Sequence, residues 1–200
     1  GKAAADLCVR FDAAPGEPIE AAALESRITR FEKLVPYKKN MSDASGIPPE
    51  ATMMLSAGSV YPLLAPVGHV GRAKTVPIYG NQGLYLAIAE CMSGDDGPPA
   101  HSHSDTQETF FVLEGEWDIS TGFDNEYTVA ANQFDIVAVP RNVMRSFRNR
   151  SNKPGRLFVI IQGPERMQDT LSYSRRLGDE MERRFGKEIM STFKGKIVDG

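Results

Sequence analysis

The sequence predicts an all-β sandwich or barrel carrying an N-terminal arm and a C-terminal helix. Three observations lead there. Between residues 51 and 163, short apolar runs recur about every 8 to 12 residues with no helical pattern between them. Gly, Pro, Asn or Asp bound these runs, and those residues end strands in turns. Apolar repeats of helical period fall only toward the two ends of the chain.

Taken in order, residues 1–50 form an extension or arm rich in Ala, Pro, Gly and charge, with one apolar-periodic piece over 21–35 that fits a helix or an irregular arm. Residues 51–163 form the β domain. Its first strand-like runs are 53–55, 59–64 and 75–79, separated by Gly and Pro. In 83–92, Leu84, Leu86 and Ile88 alternate with Tyr85, Ala87 and Ala89, the period of a strand. Residues 107–113 are aromatic and β-branched, and 116–120 carry Trp117 and Ile119. Strands over 135–139, 143–149 and 156–162 follow, parted by Pro140-Arg141-Asn142 and by the turn from Ser151 to Gly155. In 164–200, Leu177, Met181, Phe185 and Ile189 recur every fourth residue, and acidic Asp179, Glu180 and Glu182 precede basic Arg183, Arg184 and Lys187. That pattern predicts one amphipathic helix, packed on the β domain or on a partner subunit.

Bulk properties exclude several partners. With 23 basic against 26 acidic residues, the chain has no basic field for nucleic acid. No apolar run approaches the roughly 18 residues of a membrane span, so no membrane partner and a cytoplasmic location are expected. Cys8 and Cys91 are the only thiols, and their separation suggests neither a disulfide framework nor a cysteine zinc site.

Chemistry concentrates at His101-Ser102-His103 followed by Glu108, between Gly97-Pro98-Pro99 and the run Thr109-Phe110-Phe111-Val112-Leu113. Side chains at i and i+2 of a strand point to one face, so both imidazoles can aim at one point. Two His and one carboxylate form a facial ligand set for divalent iron and related metals. His101, His103 and Glu108 are therefore the candidate metal ligands. The cofactor expected is a divalent transition metal, Fe first, with Mn, Ni or Zn as alternatives.

These residues resemble the cupin superfamily, in a single-domain, type-2 form. The first cupin motif runs glycine, five residues, His-x-His, three or four residues, Glu, six residues, Gly; His101, His103, Glu108 and Gly115 match it, with Asp95 in place of the leading glycine. The second motif runs glycine, five residues, Pro-x-Gly, two residues, His, three residues, Asn. Here Pro140 and Asn149 are kept, Phe134 and Asn142 stand for the glycines, and Arg145 stands for the histidine. The resemblance, strongest over 75–162, implies a small antiparallel β-barrel, a double-stranded β-helix or jelly roll, with the metal inside and a homodimer as assembly.

Arg145 alters the chemistry that resemblance implies. A guanidinium has five donors and no available lone pair, so it cannot replace the fourth ligand. Either it pairs with a carboxylate or the barrel rim, or it holds the anionic end of a substrate. Phe110 and Val112 share the parity of Glu108, and Phe147 that of Arg145, so these four residues are the substrate-binding candidates. Phe134, Met144 and Trp117 are further apolar candidates, for which plain core is the simpler reading. His69, in the loop Pro66-Val67-Gly68-His69, is expected at the surface. No general base is visible, and the catalytic residues stay unassigned. The function expected is a metal-dependent enzyme on a small organic molecule, acidic or aromatic, with a non-haem dioxygenase leading. A non-redox isomerase or lyase and a non-catalytic small-ligand binder or sensor are the alternatives.

Overall fold

A computed structural model describes residues 15–18, 20–39, 47–69, 71, 73–80, 83–164 and 169–200. Cys8 and the rest of the expected arm over 1–14, 19 and 40–46 lie outside the described residues. Two six-stranded sheets make up most of the fold. Their strands are β1 (Ser59–Pro66), β2 (Ile78–Gly80), β3 (Leu84–Cys91), β4 (His101–His103), β5 (Gln107–Glu114), β6 (Trp117–Thr121), β7 (Tyr127–Ala131), β8 (Ile136–Val139), β9 (Arg145–Asn149), β10 (Gly155–Gln162), β11 (Leu171–Ser174) and β12 (Lys196–Val198). One sheet has the order β2-β1-β3-β10-β5-β8 and the other β12-β11-β4-β9-β6-β7. Strands close in sequence thus alternate between sheets, giving the jelly roll that the sequence predicts. The pairing is antiparallel apart from β1 with β2 and β11 with β12, which are parallel.

The core lies between the sheets. Ala89, Cys91, Phe110, Val112, Leu157 and Val159 from the first sheet meet Trp117, Ile119, Ala131 and Phe147 from the second. Phe147 receives Phe110 and Trp117 edge to face at 5.3 and 5.7 Å between ring centres, each worth about 1 kcal/mol beyond the area buried. On β3 the buried parity is that of the small residues Ala87, Ala89 and Cys91. Where Ala faces inward, the interior stays partly open, and the cavity described below forms there.

Two turns preserve the backbone of the second motif without its glycines. Phe134 has φ 73° and Asn142 φ 62°, both in the left-handed region. Asn tolerates that conformation through its short polar side chain; Phe134 bears the steric cost while 70% exposed, so it belongs to neither pocket nor core. Asn149 donates to the carbonyls of Cys91, Met92 and Lys153, tying three chain segments together from a fully buried position.

Several sequence expectations need correction. Residues 53–55 are not a strand: α2 (Pro49–Met54) begins with proline at its first turn and packs Ala51 into a second apolar cluster. Over 21–35 the chain makes only a short helix, α1 (Ala21–Glu25), and a 3-10 turn at Phe31–Lys33. Of 75–79, only Ile78 and Tyr79 enter a strand. The single C-terminal helix is two, α3 (Arg175–Phe185) and α4 (Ile189–Thr192), because Gly186 at φ 87° ends the first. Strands β7, β11 and β12 have no counterpart in the sequence reading. Leu177 and Met181 of α3, Ile189 of α4, Tyr173 of β11 and Leu55 form one cluster, so the apolar stripe does pack on the body of the protein. No described helix is long and apolar enough to cross a membrane.

Candidate metal centre

The site joins the two sheets. His101 and His103 enter from β4, which pairs with β11 on one side and, through His101 opposite Arg145, with β9 on the other. Glu108 enters from β5 in the facing sheet. All three side chains are buried, and one ligand atom from each lies within 4.8 Å of the others.

Hydrogen bonding fixes the orientation of both imidazoles. His101 Nδ1 lies 2.9 Å from the carbonyl oxygen of Pro99, which can only accept, so Nδ1 carries the hydrogen. His103 Nδ1 donates to Asp169 Oδ2. With Nδ1 protonated, a neutral imidazole keeps a lone pair on Nε2. The two Nε2 atoms lie 3.8 and 3.7 Å from Glu108 Oε2, too far for hydrogen bonds. Two lone pairs and a carboxylate oxygen thus converge with no proton between them. Glu108 is 6% exposed, and Oε2 has no hydrogen-bond partner among the described residues. A buried anionic oxygen left in that condition calls for a cation. The donor set of two nitrogens and one oxygen fits Fe, Mn, Ni or Zn, and each His has the hydrogen-bonded outer partner typical of metal-ligating histidine.

Asp169 is the residue that sequence reasoning missed. Burial would raise its carboxyl, but hydrogen bonds from His103, the Asp105 N–H and Thr106 together outweigh burial and hold it at about 2. Thr106 Oγ1 donates at 2.7 Å and Asp105 N at 2.9 Å. The sequence offers no signal for this role, since Asp169 stands 66 residues from His103 and reaches it through the pairing of β11 with β4.

Arg145 stays inside, wholly buried at 0% exposure. Its Nη2 donates to the Pro140 carbonyl at 2.9 Å, and its Nε lies 3.8 Å from Glu108 Oε2. Neither Nε nor Nη1 has a hydrogen-bond partner among the described residues. Burial lowers the guanidinium pKa, opposed by Glu108 and then Asp169. At that separation Coulomb attraction is worth about 4 kcal/mol at an effective dielectric of 20, before the cost of desolvating both ions. The carboxylate that pairs with Arg145 is therefore the candidate ligand itself.

A cavity of about 670 Å³ opens beside the cluster. His101, His103, Glu108 and Phe147 line it, together with Asp169, Thr106, Tyr85, Ala87, Ala89, Val159 and Ile161. Phe110, Val112 and Arg145 are not among its lining residues: the first two are fully buried in the core, and the guanidinium sits against Glu108. Trp117 and Met144 are likewise buried without lining it. His69, expected at the surface, does line the cavity, its ring 5.1 Å from that of Tyr85, and burial lowers its pKa. The His69 N–H donates to the Pro66 carbonyl at 3.0 Å, and Pro66, Val67 and Gly68 line the cavity beside it.

Two facing sheets with a His-His-Glu cluster between them define a jelly-roll protein with a candidate metal centre. Residues 87–161 match the family model described as the cupin domain. Among solved structures, a cupin-superfamily sugar phosphate isomerase from Silicibacter pomeroyi is similar at 20% identity, covering 48% of this chain and 59% of that one, with a TM-score of 0.42. A cupin protein from Bacteroides fragilis is similar at 21% identity over 44% of this chain and 71% of its own, with a TM-score of 0.38. The present chain thus spans less than two thirds of the isomerase. Comparison with curated proteins returned no match.

Proposed function

We propose that His101, His103 and Glu108 hold one divalent transition metal, and that the protein is a metal-dependent enzyme acting on a small organic molecule in the adjoining cavity. The observation that carries this reading is the convergence of two Nε2 atoms on the buried Oε2 of Glu108, which has no hydrogen-bond partner among the described residues. A metal held there supplies Lewis acidity and, if it is iron, the redox capacity for dioxygen chemistry. Three protein ligands leave coordination positions for other groups, and on that ground a non-haem dioxygenase is the leading activity. The chain does the remaining work by placement. Pro99 and Asp169 hold the imidazoles in one tautomer, while Ala87, Ala89, Val159 and Ile161 give the cavity an apolar wall. The substrate proposed is a small, largely apolar or aromatic compound with one polar end. His69, on the same cavity, is one available proton donor or acceptor.

A second reading rests on Arg145. It already supplies a cation 3.8 Å from Glu108, so the barrel can hold together as a metal-free binder of a small ligand. Elemental analysis separates the two. The enzyme reading expects stoichiometric transition metal; less than about a tenth of an equivalent, with none taken up on addition, rejects it. With iron present, oxygen consumption across a panel of phenols, diketones and hydroxy acids tests the dioxygenase, and no uptake with any of them leaves the non-redox chemistries.

A further inference from the structure

Arg145 is buried more completely than any candidate ligand, yet one hydrogen bond, to the Pro140 carbonyl, is all its side chain makes among the described residues. Two of its three guanidinium nitrogens are left without hydrogen-bond partners among the described residues, an uncommon condition for a buried charge. Its Nε stands 3.8 Å from the same Oε2 that lies 3.8 and 3.7 Å from the two histidine Nε2 atoms. All three nitrogens therefore surround one oxygen, and of the three only Arg145 always carries charge. The placement follows from the strand register, in which Arg145 is the cross-strand neighbour of His101.

We propose that Arg145 is a resident counter-cation for Glu108, and that a metal ion binds this site in competition with it. The inference rests on the metal-binding reading above. Without metal, Glu108 would otherwise be an unpaired buried carboxylate; the guanidinium balances it and keeps the empty site folded. When a dication takes up Glu108, the carboxylate's charge is shared and Arg145 becomes a like charge at close range. Affinity is set below that of the same three ligands with a neutral neighbour, and the bound metal exchanges readily. One hydrogen bond, to the Pro140 carbonyl, and the 3.8 Å approach to Glu108 are the polar contacts that hold the guanidinium in place.

The test compares wild type with Arg145→Met, which removes the charge at similar length, and Arg145→Lys, which keeps it. Binding of Co(II) is measured by calorimetry, and thermal stability is recorded in chelator. The Met variant is expected to bind Co(II) about tenfold more tightly or better and to melt at lower temperature when metal-free, with the Lys variant close to wild type in affinity. Should Arg145→Met fail to fold, Arg145→Gln, neutral and polar, takes its place with the same expected gain in affinity. Equal affinity in wild type and the neutral variant overturns the counter-cation role while leaving the metal site standing. Absence of Co(II) binding in every folded variant overturns both readings.

Discussion

Two carboxylates approach His103 from opposite edges of its ring, and the protein treats them differently. Asp169 meets Nδ1 and is saturated, accepting also from Thr106 and the Asp105 N–H. Glu108 faces Nε2 across 3.7 Å, with its Oε2 lacking any hydrogen-bond partner among the described residues. Asp169 is satisfied by hydrogen bonds and fixes geometry; Glu108 Oε2, 3.8 and 3.7 Å from the two Nε2 atoms, has only ion-pair neighbours, Arg145 among them. On the proposed reading, the difference gives Asp169 a positioning role and Glu108 a binding one.

The contrast can be broken most severely at Glu108. Glu108→Gln keeps the shape but removes the charge, and metal affinity measured by calorimetry should fall more than about a hundredfold, exceeding the loss expected from an outer partner. The same change strands the buried Arg145, so urea unfolding of the metal-free protein should show a loss of order 3 kcal/mol. Asp169→Asn is the next largest. It leaves the three ligands in place but weakens the hold on the His103 ring, and affinity should drop roughly 10- to 100-fold with the fold retained by circular dichroism. Equal losses at the two carboxylates would erase the distinction between them. Smallest is Thr106→Val, which removes one of several donors to Asp169; about 1 kcal/mol of stability and less than a tenfold change in affinity are expected.

The convergence of His101, His103 and Glu108 was legible in the sequence, and the place of Asp169 was not. His101 and His103 are two residues apart on a strand, so their shared face follows from the pleat alone, and Glu108 lies on the next strand. Asp169 comes from a segment whose following strand, β11, sits in a stretch that reads as a helical extension, and only long-range pairing brings it to His103. His69 was misplaced for a related reason: a glycine-flanked loop carries no signal of the surface it folds over. The sequence also showed that Arg145 cannot ligate a metal, but its partner depends on a side-chain direction across the barrel that spacing does not encode. The jelly roll itself was readable because its strands are short and turn-bounded; β7 escaped because four of its five residues are exposed and show no alternation of burial.

On the proposed reading, the His-His-Glu cluster binds a single metal ion. Its most direct test is a cobalt(II) titration of metal-free protein followed by visible absorption, in wild type and in His101→Ala. The account predicts ligand-field bands that saturate at about one equivalent in wild type and are absent over that range in the variant. A folded wild type that develops no such band under any excess of cobalt contradicts it.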